Sequence, residues 1–110
     1  RTAQELVTVD RDLVDYVVDI CRATREDVRV ATGVSPRGTQ RLLEASRAAA
    51  AYHGRDYLVP DDIKRVAAPT LAHRLVLTTE ARMDRTSERQ IVDEILNTVS
   101  VPRDTDAPEA

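Results

Sequence analysis

A chain of 110 residues is one domain with room for a modest core, and its 42% hydrophobic and 32% charged content is that of a soluble globular protein. Aromatics make up 3%, with neither Trp nor Phe, so the core must be built from Leu, Val, Ile and Ala, and there is no aromatic platform on which single-stranded bases could stack. A net charge of −3 lacks the basic excess of a nucleic-acid binder, no apolar run approaches the ~18 residues of a membrane span, and no signal-peptide pattern opens the chain.

Residues 1–8 read as a lead-in linker, and a start at Arg1 without Met reads as a piece of something longer. Asp10 is a plausible N-cap, and Val9 can staple onto Val14 across it. The first predicted helix covers 11–23, with Leu13, Val14, Val17, Ile20 and Cys21 on one side and Asp12, Asp15, Asp19 and Arg22 elsewhere. Cys21 has no second cysteine to pair with. It reads as a small buried hydrophobe, which fits a reducing compartment and a cytoplasmic location. Val28 and Val30 fall in a connecting loop as a short extended piece against the core.

The second helix, 36–53, has the most informative start. Ser35 is a good N-cap, and Pro36 stands at the first helical position, where a missing N–H costs nothing. Arg37 then sits at the positive end of the helix dipole, disfavoured by roughly 0.3–1 kcal/mol unless an anion is near. Helix N-termini are natural phosphate sites, so this placement suggests a bound phosphate or carboxylate. The bland alternative is a solvated guanidinium whose stem swings away from the dipole. Leu42, Leu43, Ser46, Ala49, Ala50 and His53 form the expected buried stripe, and Arg37, Arg41, Glu44 and Ala48 share the opposite face. That outer face suits either a solvated Arg or a surface for a partner domain. Gly54 is a suitable C′ residue.

Residues 57–59 form an extended link, and Pro60, Asp61 and Asp62 suit a helix start. The third helix turns Ile63, Val66 and Ala67 inward, and Pro69 is predicted to kink or break it before 70–72. Residues 73–77 are another turn or a small strand. Leu75 and Leu77 alternate as a strand would, with 57–59 as the pairing partner. Residues 78–86 are polar and read as a loop. Ser87 to Gln90 is a capping-box pattern that opens a helix over 88–99, with Ile91, Ile95 and Val99 inward and Leu96 beside them. Pro102 stops it, and 101–110 is expected to be a disordered tail.

No G-x-x-x-x-G-K-[ST] run occurs and no Asp-rich strand end could hold Mg²⁺, so the chain cannot hydrolyse ATP by itself. His53 and His73 are far apart with no Cys at ligand spacing, so no metal site is expected. Carboxylate pairs such as Asp61–Asp62 and Asp93–Glu94 sit at helix ends or on polar faces, with nothing converging on them.

Taken in order, Ala23-Thr24-Arg25, Gly33-Val34-Ser35-Pro36-Arg37-Gly38, Leu42-Leu43, Ala48 to Ala51, Gly54-Arg55-Asp56-Tyr57, Val59-Pro60-Asp61-Asp62-Ile63 and His73-Arg74-Leu75 closely resemble the C-terminal lid of MoxR-type AAA+ ATPases, relatives of the magnesium-chelatase ATPase subunit. The resemblance covers about residues 9–100. It implies an all-α, four-helix lid bundle. Arg37 would be the sensor-2 arginine that reaches the ATP phosphates, with Ser35, Pro36 and Arg41 beside the nucleotide. It also implies ATP and Mg²⁺ in the full-length protein but none bound to this piece, and a P-loop domain of the same protein as partner. A homo-oligomeric ring, a hexamer, and a von Willebrand A-domain protein complete the implied partners. The implied activity is ATP hydrolysis coupled to chaperone-like remodelling or maturation of protein complexes. Gly38 stands where the family more often has Ala. His73-Arg74 reads first as a structural buttress and second as an intersubunit surface, while Thr24-Arg25 has no assigned role. The competing function is a free-standing helical adaptor or helix-turn-helix domain, with the acidic balance against DNA. A P-loop encoded upstream would decide for the lid.

Overall fold

The computed structural model describes residues 3–102; most of the expected tail and the first two residues of the expected linker lie outside them. Among the described residues the helices are α1 (Arg11–Glu26), α2 (Pro36–Tyr52), α3 (Pro60–Leu71), α4 (Thr79–Met83) and α5 (Glu88–Thr98), with short strands β1 (Val30–Thr32) and β2 (Val76–Leu77). Single 3₁₀ turns cover Ala3–Leu6 and Ala72–Arg74.

The helical periodicity of α1 buries Leu13, Tyr16, Val17, Ile20, Cys21 and Thr24 along one stripe. Thr24 extends that stripe by a turn, so the helix runs three residues past its expected end at Ala23. The core is aliphatic, as the lack of Phe and Trp requires: Leu13, Ile20, Leu42, Ile63, Leu71 and Ile91 are fully enclosed. Each such side chain contributes about 1.5–3 kcal/mol by leaving water. Tyr16 is the large aromatic among them. α2 packs most extensively on α3. Its buried residues are Leu42 and the small Gly38, Ser46 and Ala50, and Ala67 and Ala68 of α3 lie in the same core. The Ser46 hydroxyl is satisfied within the helix, donating to the Leu42 carbonyl at 2.7 Å.

The strand pairing differs from expectation. β2 pairs antiparallel with β1, Val30 opposite Leu77 and Thr32 opposite Val76, and not with 57–59. That segment is taken by the lead-in: Thr8 bridges Tyr57 in parallel, its N–H donating to the Asp56 carbonyl at 2.7 Å and its carbonyl accepting from Leu58 N–H at 2.9 Å. Strands of two or three residues carry too little alternation to specify a partner. Arg47 of α2 holds the same lead-in, donating to the carbonyls of Glu5 at 3.4 Å and Val7 at 3.3 Å, and the Val7 side chain is buried.

Three further expectations are corrected. Pro69 does not break α3, which continues to Leu71 before passing into the 3₁₀ turn. The proline lies in the last turn and on the exposed side, as does Arg65, so water can solvate the carbonyl it leaves free. Within the stretch expected as a loop, 79–83 form α4, because the Thr78 hydroxyl caps the Ala81 N–H at 3.1 Å and Ala81 is buried; Arg85, at φ 61, ends the turn. His53 is exposed, not on the buried stripe. It is the C-cap, off helical register, with its ring edge against Tyr52 at 5.4 Å, and Gly54 at φ 77 follows.

Two polar ties hold the loops. The buried Asp62 carboxylate accepts from the Val59 N–H at 3.0 Å and pairs with the Arg55 guanidinium, so the chain entering α3 is fixed to the helix itself. Arg29 bridges Asp27 and Glu94, each at 2.8 Å, joining the turn before β1 to α5. No described helix is long and apolar enough to cross a membrane.

The Arg29 bridge gives stability a pH signature. The Arg29 guanidinium holds the carboxyls of Asp27 and Glu94 below their ordinary values. A lowered folded pKa stabilises the fold fully above the unfolded value, about 4, and the contribution fades as pH falls through the lowered one. Urea midpoints measured from pH 6 down to 2.5 should therefore fall on acidification. Arg29→Gln should flatten that fall below pH 4 and lower the plateau above it; parallel curves would show that the bridge contributes nothing.

Candidate functional site

The start of α2 is built as the sequence indicates, and its backbone donors are accounted for. Ser35 is extended (φ −76, ψ 168), and its hydroxyl accepts from the Gly38 N–H at 3.3 Å. The Thr39 N–H bonds the Ser35 carbonyl at 3.0 Å, and Pro36 has no N–H. The helix end therefore offers an anion little beyond the Arg37 amide. The Arg37 side chain itself is exposed and makes no hydrogen bond or ion pair among the described residues. No acidic residue stands in the first turn to neutralise it. An unpaired guanidinium at the positive end of a 17-residue helix is a fit for a phosphate oxygen as one cationic contact. It is not a nucleotide pocket.

The other candidates fall around it unequally. The Ser35 hydroxyl serves the helix as its cap, and Pro36 fixes the first turn. Arg41 lies one turn on and pairs with Glu44 at 3.1 Å, both about half exposed, which is a weak surface contact. His73 is exposed and Arg74 half-buried. The Arg74 Nε donates to the Thr70 carbonyl at 3.3 Å, and its stem lies against Gly38, where an added Cβ would stand 3.3 Å from the Arg74 Cδ. Among the described residues no three His, Cys, Asp or Glu side chains are grouped to hold a metal ion. Burial pushes the Cys21 thiol pKa up, away from reactivity.

What leads into α2 carries a feature that sequence reasoning left without a role. Val34 is fully buried, and α1 binds both polar groups of its backbone. Its N–H donates to the Thr24 hydroxyl at 3.0 Å, and its carbonyl accepts from the Arg25 Nη1 at 2.7 Å. Thr24, also fully buried, donates its own proton to the Cys21 carbonyl at 2.6 Å. Gly33 is required by closeness: a Cβ there would stand 2.7 Å from the Arg25 Cα. The signal for Thr24 was present, since it continues the buried register of Leu13, Val17 and Ile20.

Comparison with known proteins bears on the whole segment. The AAA lid domain family matches residues 22–95. The chaperone MoxR1 of Mycobacterium tuberculosis is 39% identical over 110 residues, covering 92% of this chain and 29% of its own length. The uncharacterized protein YeaC of Bacillus subtilis is 43% identical over 96 residues, 87% of this chain and 30% of its own. A crystal structure of a candidate ATPase from Cytophaga hutchinsonii superposes with a TM-score of 0.85 at 32% identity, covering 92% of this chain and 33% of that one. The chain thus spans about 30% of the length of the curated relatives it matches.

Gly38 and Val34 share one space. A Cβ on Gly38 would come 2.6 Å from the Val34 Cγ1, so the helix start holds a bulky residue at one position and none at the other. Replacing a helical Gly by Ala ordinarily gains about 1 kcal/mol. Gly38→Ala alone should forfeit that gain or lose stability in urea denaturation. The double variant Val34→Ala/Gly38→Ala should be more stable than the sum of the singles by about 1 kcal/mol. Additive singles would mean that Val34 can turn aside at no cost.

Proposed function

The chain belongs to the AAA lid domain family, as a lid of the MoxR type, and on that footing we propose that it closes over ATP held by the P-loop domain of a longer AAA+ ATPase. The observation that carries this reading is Arg37: exposed, unpaired among the described residues, and fixed in the first turn of α2, which holds no acidic residue. The nucleotide and its Mg²⁺ belong to the P-loop domain, which supplies the phosphate cradle and the metal ligands. The lid contributes one guanidinium. Placed at the terminal phosphate, it stabilises the charge that spreads over the phosphoryl oxygens during transfer. Ser35 and Pro36 hold the helix start from which it projects; Arg41 lies further out, toward the rim of the contact.

The same contact links chemistry to motion. Arg37 meets a γ-phosphate before hydrolysis and loses it afterwards, so the lid angle follows the nucleotide state. In a ring of such subunits, a hexamer on the family pattern, that change of angle would drive chaperone-like remodelling or maturation of protein complexes. MoxR1 carries the chaperone name. A von Willebrand A-domain protein is the family-type partner, and the cytoplasm the family-type location.

The test is ATP turnover by the longer protein carrying Arg37→Ala. Turnover should fall by about 10²-fold. Circular dichroism and the thermal midpoint should stay unchanged, because the exposed side chain makes no hydrogen bond or ion pair among the described residues. The 110-residue chain alone should bind ATP no tighter than about 1 mM, a single ion pair in water being worth little. Wild-type turnover in the variant would remove Arg37 from the mechanism.

A further inference from the structure

We propose that Thr24 and Arg25 are positioning residues for Arg37, which they fix by holding the Val34 backbone on α1. This rests on the reading of Arg37 as the lid's contact with phosphate. Among the described residues the Arg37 side chain makes no hydrogen bond or ion pair, so its place is set chiefly by the backbone it grows from. That backbone is held in two ways. The Ser35–Gly38 cap lies within the start of α2 and moves with it. The bonds to Val34 come from another helix. They are the described hydrogen bonds that tie the residues just before α2 to the body of the bundle.

The chemistry of the pair is specific. In the last turns of a helix a Thr hydroxyl commonly donates back to a carbonyl. Thr24 does so at Cys21, and this turns its lone pairs outward, where one takes the Val34 N–H. A hydroxyl is the one small group that can donate and accept here at once. Arg25 approaches from the other side with a charge-assisted bond to the carbonyl of the same residue. It is ion-paired to no described carboxylate, so its guanidinium serves a backbone oxygen. Gly33 lets the two backbones come this close, and the buried Val34 side chain packs against Gly38, the residue after Arg37. A push on Arg37 is thereby carried into α1 and not absorbed by a loose connecting loop.

The test has two arms. In the 110-residue chain, Thr24→Val keeps the shape of the side chain but cannot accept a hydrogen bond. Hydrogen exchange of the Val34 amide should quicken about tenfold or more, with α3 and α5 core amides unchanged, and Thr24→Ser should restore wild-type protection. In the longer ATPase, Thr24→Val should lower kcat about tenfold with little change in KM for ATP, because misplacing a group that acts in the transition state slows chemistry more than binding. Added to Arg37→Ala, it should cost nothing further, since it acts only through Arg37. Arg25→Gln, at an exposed position, repeats the cycle should Thr24→Val fold poorly. Unchanged Val34 exchange, or a kcat loss that persists in full on the Arg37→Ala background, overturns the proposal. Quickened exchange together with wild-type turnover of Arg37→Ala instead strikes the reading of Arg37 as the phosphate contact and the positioning role with it, leaving the clamp as a feature of the fold.

Discussion

A residue buried away from water must have both its backbone polar groups bonded, or each costs about 1–3 kcal/mol. At Val34 both bonds come from neighbouring residues of one helix, Thr24 and Arg25. This constraint sets where α2 begins relative to α1. A slide by one residue would leave a buried donor and acceptor unmatched and drive the Val34 side chain out of its enclosure. α2 in turn lies along α3, and α5 packs on both α3 and α1, so the docked residue is one of several contacts that fix the later helices. The cap by Ser35 and the ring of Pro36 then shape the first turn but do not locate it.

The site that results is economical in its chemistry. Where a P-loop binds phosphate with a row of backbone amides, the start of α2 leaves little beyond the Arg37 amide after its own cap is made. What remains is a side chain of permanent charge on a long stem. Such a group suits a surface that meets its anion only part of the time: it is hydrated when apart and needs no rearrangement of the bundle to engage. This fits a domain that spans under a third of its curated relatives and lacks a phosphate cradle of its own.

Much of this was legible in the sequence where local chemistry decides. The caps at Ser35 and Ser87, the proline at 36 and the glycine after α2 are each dictated by a few adjacent atoms, and each stands where the residues placed it. The long helices followed from periodicity. What was hidden depends on atoms distant in the chain. The short apolar runs 57–59 and 75–77 look ready to pair with each other, but 57–59 meets Thr8 and 76–77 meets 30–32 instead. Pro69 looked like a breaker because the rule concerns a helix interior, and the helix had one more turn to give. α4 is held by one threonine and one buried alanine, too faint a pattern to stand out from its polar surroundings. Thr24 and Arg25 could be noticed but not understood, since their partner lies nine and ten residues ahead and is a backbone unit with no identity to read.

The lead-in touches the C-terminal half of α2 through Arg47, and the link that follows α2 through the bridge of Thr8 to Tyr57, while Arg37 sits at the near end. Seventeen residues of helix span about 25 Å. Anything joined ahead of the lead-in therefore connects to this bundle at one end of a stiff rod and could grip it by the guanidinium at the other. Over that length a tilt of about 10° at the attachment displaces the tip by about 4 Å, more than the reach of a hydrogen bond. On the proposed reading of Arg37 the rod is a lever, on which small rotations at the pivot would make or break the grip.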